Sequence, residues 1–459
     1  MLMSSECAQA TACTFLDLCT WCMHEQAASG ASERSSVSNL LLHHLPQHCM
    51  KMYQVLDAQT CSYIVFILGI LGLVFYCSIM CFVVISFIGG RFYWYRKSDP
   101  SVLGDDLPGV SIIKPLMGVD PLLEENLESH FTMKYPKFEL LCCVNDEKDP
   151  AVDLVNRLCE NYPKVDCKLF KGGKNGIINP MVRNMAPAYD AAQYEYVWIS
   201  TSRIKASTDI IMDMVCKLQK PNVGLVHQMP FTLDHRGFGS CIEKIYFGCA
   251  LQRFYLAFNL MNLCCVTGMS YTFKKSILDQ LNGLSWFGKY LAEDYFLTKA
   301  IHEKGYKLVL SSFPAQQNVG GTSYCGLVDR LIRWMRLRIN MLTVVSILEP
   351  MTDVFPLGAY GAWCQYHFFG FNPYYFFAAH VFGMLVLDYL LLHNAQVGPV
   401  AFSKLEYIFG WFVREFTSTF IFLAAIVKPH TIKWGRRTYW VKCGGHTEIS
   451  EDRSTSIVL

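Results

Sequence analysis

Apolar and polar positions divide the chain into blocks of different character. From Tyr63 the sequence runs Tyr-Ile-Val-Phe-Ile-Leu-Gly-Ile-Leu-Gly-Leu-Val and on to Ile88, 26 residues without a charge. A helix of that length reaches about 39 Å, enough to cross a hydrocarbon core of about 30 Å with some tilt. Arg91, Arg96 and Lys97 come next, with Phe92, Tyr93, Trp94 and Tyr95 among them, so an aromatic belt and a positive flank close the span. The stretch before it holds only Arg34 and Lys51 as basic residues. The positive-inside rule therefore predicts that the residues after the span face the cytosol.

In residues 98–340 charges return and short apolar runs alternate with helical patterns. Strands are expected at Val110-Ser-Ile-Ile-Lys-Pro115, Phe138–Val144, Val165–Phe170, Tyr196–Ser200, Val223–Val226 and Lys307–Leu310, and helices at Ala151–Tyr162 and Thr208–Gln219. Near-continuous apolar strands separated by helices imply an α/β fold with a mostly parallel sheet covered on both faces. Such sheets bind ligands beyond the carboxyl ends of their strands.

Residues 341–427 are apolar again, with candidate spans near 343–363, 373–392 and 405–427. The first is interrupted by Glu349, Pro350, Asp353 and Pro356, and reads equally as a re-entrant or interfacial segment. Four full spans would put the basic tail (Lys433, Arg436, Arg437, Lys442) on the side of the N-terminus, against the positive-inside rule, whereas three would put it in the cytosol. The expected organisation is an N-terminal extension (1–60), a transmembrane helix with its basic flank (61–97), a cytosolic catalytic block (98–340), C-terminal membrane helices (341–427) and a basic polar tail (428–459).

Composition sharpens this picture. Of 459 residues, 52% are hydrophobic and only 17% charged, and mean hydropathy is +0.23, which excludes a disordered chain, a coiled coil and an ordinary soluble enzyme. A net charge of +2 is too balanced for a nucleic-acid binder. The 20 cysteines are scattered, several within apolar runs, as expected of reduced thiols. Cys19 and Cys22 have C-x-x-C spacing, but no second pair completes a zinc site.

Several positions can carry chemistry. Asp146, in Val144-Asn-Asp-Glu-Lys-Asp-Pro150, is either a turn residue or a carboxylate facing a nucleotide at a strand end. Tyr196–Ser200 leads into Thr201-Ser202-Arg203, hydroxyls and a cation where a hard divalent ion would want carboxylate oxygen. Glu293 and Asp294 are adjacent acids that fit a helix N-terminus or a general base at the mouth of a site. Arg330-Leu-Ile-Arg333-Trp334 is either a snorkelling surface helix or a clamp on a diphosphate leaving group. Gly172-Gly-Lys-Asn-Gly176 lacks the P-loop pattern and reads as a turn, and the lone His227 reads as structural.

These pieces resemble the inverting membrane glycosyltransferases with a GT-A type nucleotide-sugar fold, whose pattern is three spaced acidic motifs and a final (R/Q)-x-x-R-W motif. Asp146 matches the first acidic position, Asp294 the third, and Arg330–Trp334 the last. Pro108-Gly-Val-Ser, Lys114-Pro-Leu-Met-Gly-Val-Asp120, Val266-Thr-Gly-Met-Ser270, Ala292-Glu-Asp-Tyr-Phe296, Ile332–Leu342 and Phe402-Ser-Lys-Leu405 look like the ceramide glucosyltransferase family within that group. The resemblance spans residues 57–445. It implies glucose transfer from UDP-glucose to the primary hydroxyl of ceramide at the cytosolic face of the Golgi membrane. It implies Asp294 as general base, Asp146 at the nucleotide or its metal, and Arg330, Arg333 and Trp334 at the departing UDP, with Thr201 and Glu293 lining the substrate site. The family's second acid aligns with Thr201, which leaves open whether Mg²⁺ or Mn²⁺ is used, with Asp146 as its one carboxylate ligand or Arg203 and Lys205 supplying the charge instead. A polysaccharide synthase, a lipid-phosphate sugar transferase and a weakly active membrane scaffold are the rival readings.

Overall fold

In a computed structural model the described residues are 58–95, 97–99, 107–233, 235–396, 398–435 and 437–450. The N-terminal extension to residue 57, with its Cys19/Cys22 pair, lies outside them, as do Arg96 and Arg436. The chain divides into two units, Met1–Leu71 and Gly72–Leu459. Of the first, the described part is the opening of helix α1 (Ala58–Tyr95), whose run Tyr63–Phe92 is long and apolar enough to cross a membrane.

The second unit is built on a sheet. In chain order come β1 (Val110–Leu116), α2 (Leu123–Phe131), β2 (Phe138–Val144), α3 (Ala151–Asn161), β3 (Asp166–Lys171), α4 (Pro180–Asp190), β4 (Tyr196–Ser200), β5 (Ile204–Lys205), α5 (Thr208–Leu218), β6 (Val223–His227) and β7 (Pro230–Thr232). Helix α6 (Phe238–Ile245) runs through a π-helical turn (Tyr246–Leu251) into α7 (Gln252–Leu260). After it come β8 (Ser270–Lys274), α8 (Lys275–Asp279), α9 (Glu293–Glu303), β9 (Lys307–Leu310) and β10 (Ala315–Gln317). Seven strands lie in the order β3-β2-β1-β4-β8-β6-β9, and β8 runs antiparallel to both of its neighbours while the rest are parallel.

All six expected strands form. Alternation of side chains makes two cores, one on each face. Ile112, Leu140, Cys142 and Trp198 pack beneath α2, α3 and α5. Ile113, Leu141, Cys143, Val197 and Ile199 pack beneath α4 and α9. The described cysteines are unpaired thiols.

The C-terminal part begins with α10 (Tyr324–Met341), α11 (Thr343–Leu348) and α12 (Val354–Phe369), followed by α13 (Pro373–Ala395) and α14 (Lys404–Val427). Among the described residues only α13 and α14 join α1 as helices of membrane-spanning length. The candidate span at 343–363 does not form as one helix: a 3₁₀ turn over Glu349–Thr352 breaks it. The 16 residues of α12 reach about 24 Å, short of the hydrocarbon core. The two C-terminal spans carry Asp388, Arg414 and Glu415, which pair with one another and with Arg253 of α7. Trp411 Nε1 adds a 2.7 Å bond to Asp388. Charges this deeply buried persist only when partnered, so the cluster fastens the spans to α7.

The tail differs from its expected polar character. Residues 431–449 form an antiparallel meander of β11 (Thr431–Trp434), β12 (Arg437–Val441) and β13 (Thr447–Ile449). Ile432, Tyr439 and Val441 on it are buried against Leu291. Apolar residues spaced two apart within a basic stretch form a strand face only when another element covers them.

Candidate active site

The carboxyl ends of β2, β1 and β4 form one edge of the sheet. Asp146 is exposed two residues beyond β2, where Lys148 N donates to its Oδ1 at 3.0 Å. It is thus both a turn residue and a carboxylate at a strand end. The glycine loop after β3 packs on this turn: Gly172 N donates to the Val144 carbonyl at 3.0 Å. Gly173, at φ +66, leaves no room for a Cβ, which would lie 2.7 Å from Asn145 Oδ1 and 2.9 Å from the Arg183 carbonyl.

Thr201 comes directly after β4, its N–H donating to the Met269 carbonyl at 3.1 Å. With β1 between them, the ends of β2 and β4 stand about 10 Å apart at about 4.8 Å per strand. Among the described residues no group of three or more His, Cys, Asp or Glu side chains is arranged to hold a metal ion. One exposed carboxylate and a neutral hydroxyl are a poor donor set for a hard divalent cation, which takes several oxygen ligands. Asp146 and Thr201 therefore do not fit a tightly held resident ion.

The antiparallel course of β8 brings its leading segment, Val266–Met269, to this same edge. Gly268 lies against Asp294 so closely that a Cβ there would be 2.9 Å from Asp294 Oδ2. Asp294 and Glu293 occupy the first turn of α9, where acids suit the helix dipole. Tyr295 N donates to Asp294 Oδ1 at 2.8 Å. Burial nevertheless holds the Asp294 carboxyl above the usual carboxylate range. Glu293 is buried more deeply, at 6% exposure, and accepts from Asn179 Nδ2 at 2.6 Å. Burial, and then the Asp294 charge, push its carboxyl up to about 8. The same Asn179 caps α4 by accepting from Met181 N and Val182 N. The two acids are thus unlike: Glu293 is tied into the fold and Asp294 is half-buried.

The residues of the Arg-x-x-Arg-Trp segment on α10 have separate surroundings. Arg330 pairs with Glu243 of α6, whose other oxygen accepts from Thr322 Oγ1 at 2.5 Å. Arg330 also stacks on Trp334 at 5.5 Å and Phe247 at 5.9 Å. Arg336 donates to the Ala424 and Thr431 carbonyls, and Arg338 makes a two-pronged pair with Glu349. Arg333 differs from these three in having no hydrogen bond or ion pair to a described residue; its guanidinium lies 5.9 Å over the Trp434 ring of β11. Its pKa is lowered by burial, then by the charges of Arg330 and Arg203. Arg203 responds in the same way, to burial and then to Arg330. Arg203 and Arg333 each lie within electrostatic reach of Arg330, with Glu243 and Asp120 opposing it at Arg203 and Asp329 opposing it at Arg333. Lys205 pairs with Glu125.

His227 is fully buried between Tyr255 Oη (2.7 Å) and Asn259 Oδ1 (3.2 Å), as expected of a structural histidine. Asn179, Glu243 and Trp434 carried no sequence signal, because each is assembled into the site across long separations. Gly268 had one only through its phrase Val266–Ser270.

Comparison with known proteins gives four findings. The model for glycosyl transferase family 21 matches residues 65–447. Ceramide glucosyltransferase 3 of Caenorhabditis elegans is 40% identical over 83% of this chain and 82% of its own length. Ceramide glucosyltransferase 1 of the same organism is 36% identical over 84% and 82%. Among solved structures, a mannosyltransferase from Pyrobaculum calidifontis in complex with GDP-Man and Mn²⁺ overlays with TM-score 0.47 at 18% identity, covering 79% of this chain and 98% of that one.

Proposed function

The chain belongs to glycosyl transferase family 21, among the ceramide glucosyltransferases, and on that premise we propose that Asp294 is the base that activates ceramide's primary hydroxyl toward UDP-glucose. The supporting observation is a half-buried carboxylate joined through neighbouring residues to the strand end that carries Arg203. Asp294 touches Gly268, the adjacent Met269 carbonyl accepts from Thr201 N, and Arg203 lies two residues on, within electrostatic reach of Arg330 and Arg333.

In the proposed reaction Asp294 takes the hydroxyl proton as the oxygen attacks the anomeric carbon. The bond from that carbon to the β-phosphate oxygen breaks on the opposite face, so configuration inverts and UDP leaves with the bonding electrons. Burial raises the basicity of Asp294, which suits a proton acceptor working near neutral pH. Arg333 and Arg203 meet the growing diphosphate charge, which counts most in the transition state. Arg330 and Trp334 hold the helix that presents Arg333, and Glu293 fixes α9 through Asn179. Asp146 and Thr201 lie where the nucleotide enters. A divalent cation arriving with UDP-glucose would meet Asp146 as its one carboxylate, and the guanidiniums supply the remaining charge neutralisation.

The acceptor is insoluble in water, so it has to come sideways from the bilayer. Exposed Leu260, Met261 and Leu263 lie a few residues ahead of Gly268, and Met261 borders an apolar groove along α1 with Val74, Cys81 and Ile85. As proposed, the catalytic block works on the cytosolic face of the Golgi membrane, supported by the basic flank after α1.

Membranes carrying this chain should form glucosylceramide from UDP-glucose and ceramide. Asp294→Asn should lower kcat by about two to four orders of magnitude, with UDP binding little changed. Undiminished turnover in Asp294→Asn would remove Asp294 from the role.

A further inference from the structure

We propose that the C-terminal meander is part of the donor site, with Trp434 as a positioning residue for Arg333. This rests on the reading of Arg333 as the holder of the UDP diphosphate.

The meander lies between the two elements that carry the chemistry. Toward α9, the backbone of His446 bridges that of Tyr290, and their rings are 4.9 Å apart. Tyr290 stacks on Phe296 at 3.7 Å, and Gly445 packs so tightly that a Cβ there would lie 2.5 Å from the Phe296 ring. Ile432, Tyr439 and Val441 bury Leu291, three residues before Asp294. Toward α10, Gly444 N donates to the Asn340 carbonyl at 2.9 Å and Arg336 Nη1 to the Thr431 carbonyl at 3.1 Å. Trp434 projects from β11 to the guanidinium of Arg333.

Arg333 needs such a support. Arg330 has Glu243 as counter-ion, and Arg336 and Arg338 have fixed acceptors. Arg333 has no partner of that kind within bonding distance among the described residues: Arg330 and Arg203 repel it, and Asp329, one turn back, attracts it without forming an ion pair. A long side chain in that position has rotamer freedom to lose when it binds a phosphate. The electron-rich face of Trp434 draws the cation without consuming its N–H donors. The guanidinium is thereby held against its like-charged neighbours while its edge stays available to an anion.

The test is a double-mutant cycle in the full-length membrane enzyme, read as the KM for UDP-glucose and the inhibition constant of UDP. Trp434→Leu keeps an apolar side chain against the buried cluster of Leu291, Ile432, Tyr439 and Val441 but removes the ring. It should weaken both constants about three-fold, the scale of a partly exposed cation–π contact. The KM for ceramide should stay put, and Trp434→Phe should recover most of the loss. In an Arg333→Ala background Trp434→Leu should have no further effect, because the group it positions is gone. Wild-type constants in Trp434→Leu, or the same three-fold loss persisting in Arg333→Ala, overturn the proposal. If Trp434→Leu does not accumulate, Trp434→Met, apolar and without a ring, carries the same cycle: a loss confined to the background that keeps Arg333 supports the proposal, and no loss, or one that persists in Arg333→Ala, overturns it. Arg333→Ala with unchanged UDP affinity would instead sink the reading of Arg333 on which the proposal stands.

Discussion

Substituting Gly268 by Ala tests the placement of Asp294, the proposed base, without touching its chemistry. The added methyl would sit 2.9 Å from Asp294 Oδ2, 3.1 Å from its Cβ and 3.2 Å from its Cγ. Ordinary carbon contacts are about 3.5–4.0 Å, so Asp294 or the segment carrying Gly268 must give by about half an ångström. Neither is free to do so. Asp294 Oδ1 is bonded to Tyr295 N, and the carbonyl of Met269, next along, accepts from Thr201 N. A 1 Å misplacement of a catalytic group costs about 10²-fold, so half that distance should lower kcat about ten-fold. Overpacking should also cost about 1–3 kcal/mol of stability. The KM for UDP-glucose should hold, since Arg333 and Asp146 are not displaced. Initial rates at saturating donor and acceptor, paired with thermal melting of the detergent-solubilised enzyme, separate the two effects. Asp294→Asn added to Gly268→Ala should lose less than it does alone, because the base is already misplaced. A Gly268→Ala enzyme with wild-type kcat would refute the argument that Gly268 seats the base.

The site yields three more expected outcomes. Glu293→Gln should retain turnover, and its stability relative to wild type should improve as pH rises from 4.5 to 8, because the folded chain keeps Glu293 protonated over that window while the unfolded chain does not. A melting-temperature gap that does not change with pH would contradict the buried, raised carboxyl. Arg330→Ala should lower the melting temperature by stranding the buried Glu243, a loss of about 3–5 kcal/mol, whereas Arg333→Ala should leave melting nearly unchanged and weaken UDP binding; equal melting for the two variants would refute the split. Thr201→Asp should make activity climb more steeply with added Mg²⁺ or Mn²⁺ than in wild type, and chelator-abolished wild-type activity with no change in Thr201→Asp would show that other groups hold the ion.

The apolar runs were enough for the sheet's main strands, because a strand buried on both faces must be apolar at nearly every position. Phe138–Val144 and Tyr196–Ser200 form as expected. The same logic located α1, α13 and α14 as spans, and Pro350 with its acidic neighbours marked where a fourth would break. The acids and arginines of the candidate site stand out by residue type and order. Their division of labour does not: adjacent Glu293 and Asp294 look alike on paper, and only burial against Asn179 and proximity to Gly268 separate them. Arg330 and Arg333 are likewise equivalent until Glu243 takes one and Trp434 the other.

What the sequence determined by itself, then, was what local pattern can encode: which segments are strands, which can span a bilayer, and which side chains carry charge. What the tertiary structure decided was what depends on strand direction and on contacts across long separations. The antiparallel insertion of β8 is the clearest case, because reversing one strand puts its beginning, rather than its end, beside the carboxyl ends of its neighbours. That is how Gly268 reaches Asp294. The meander is the other, since its alternating apolar residues have a partner only once Leu291 is folded beneath them.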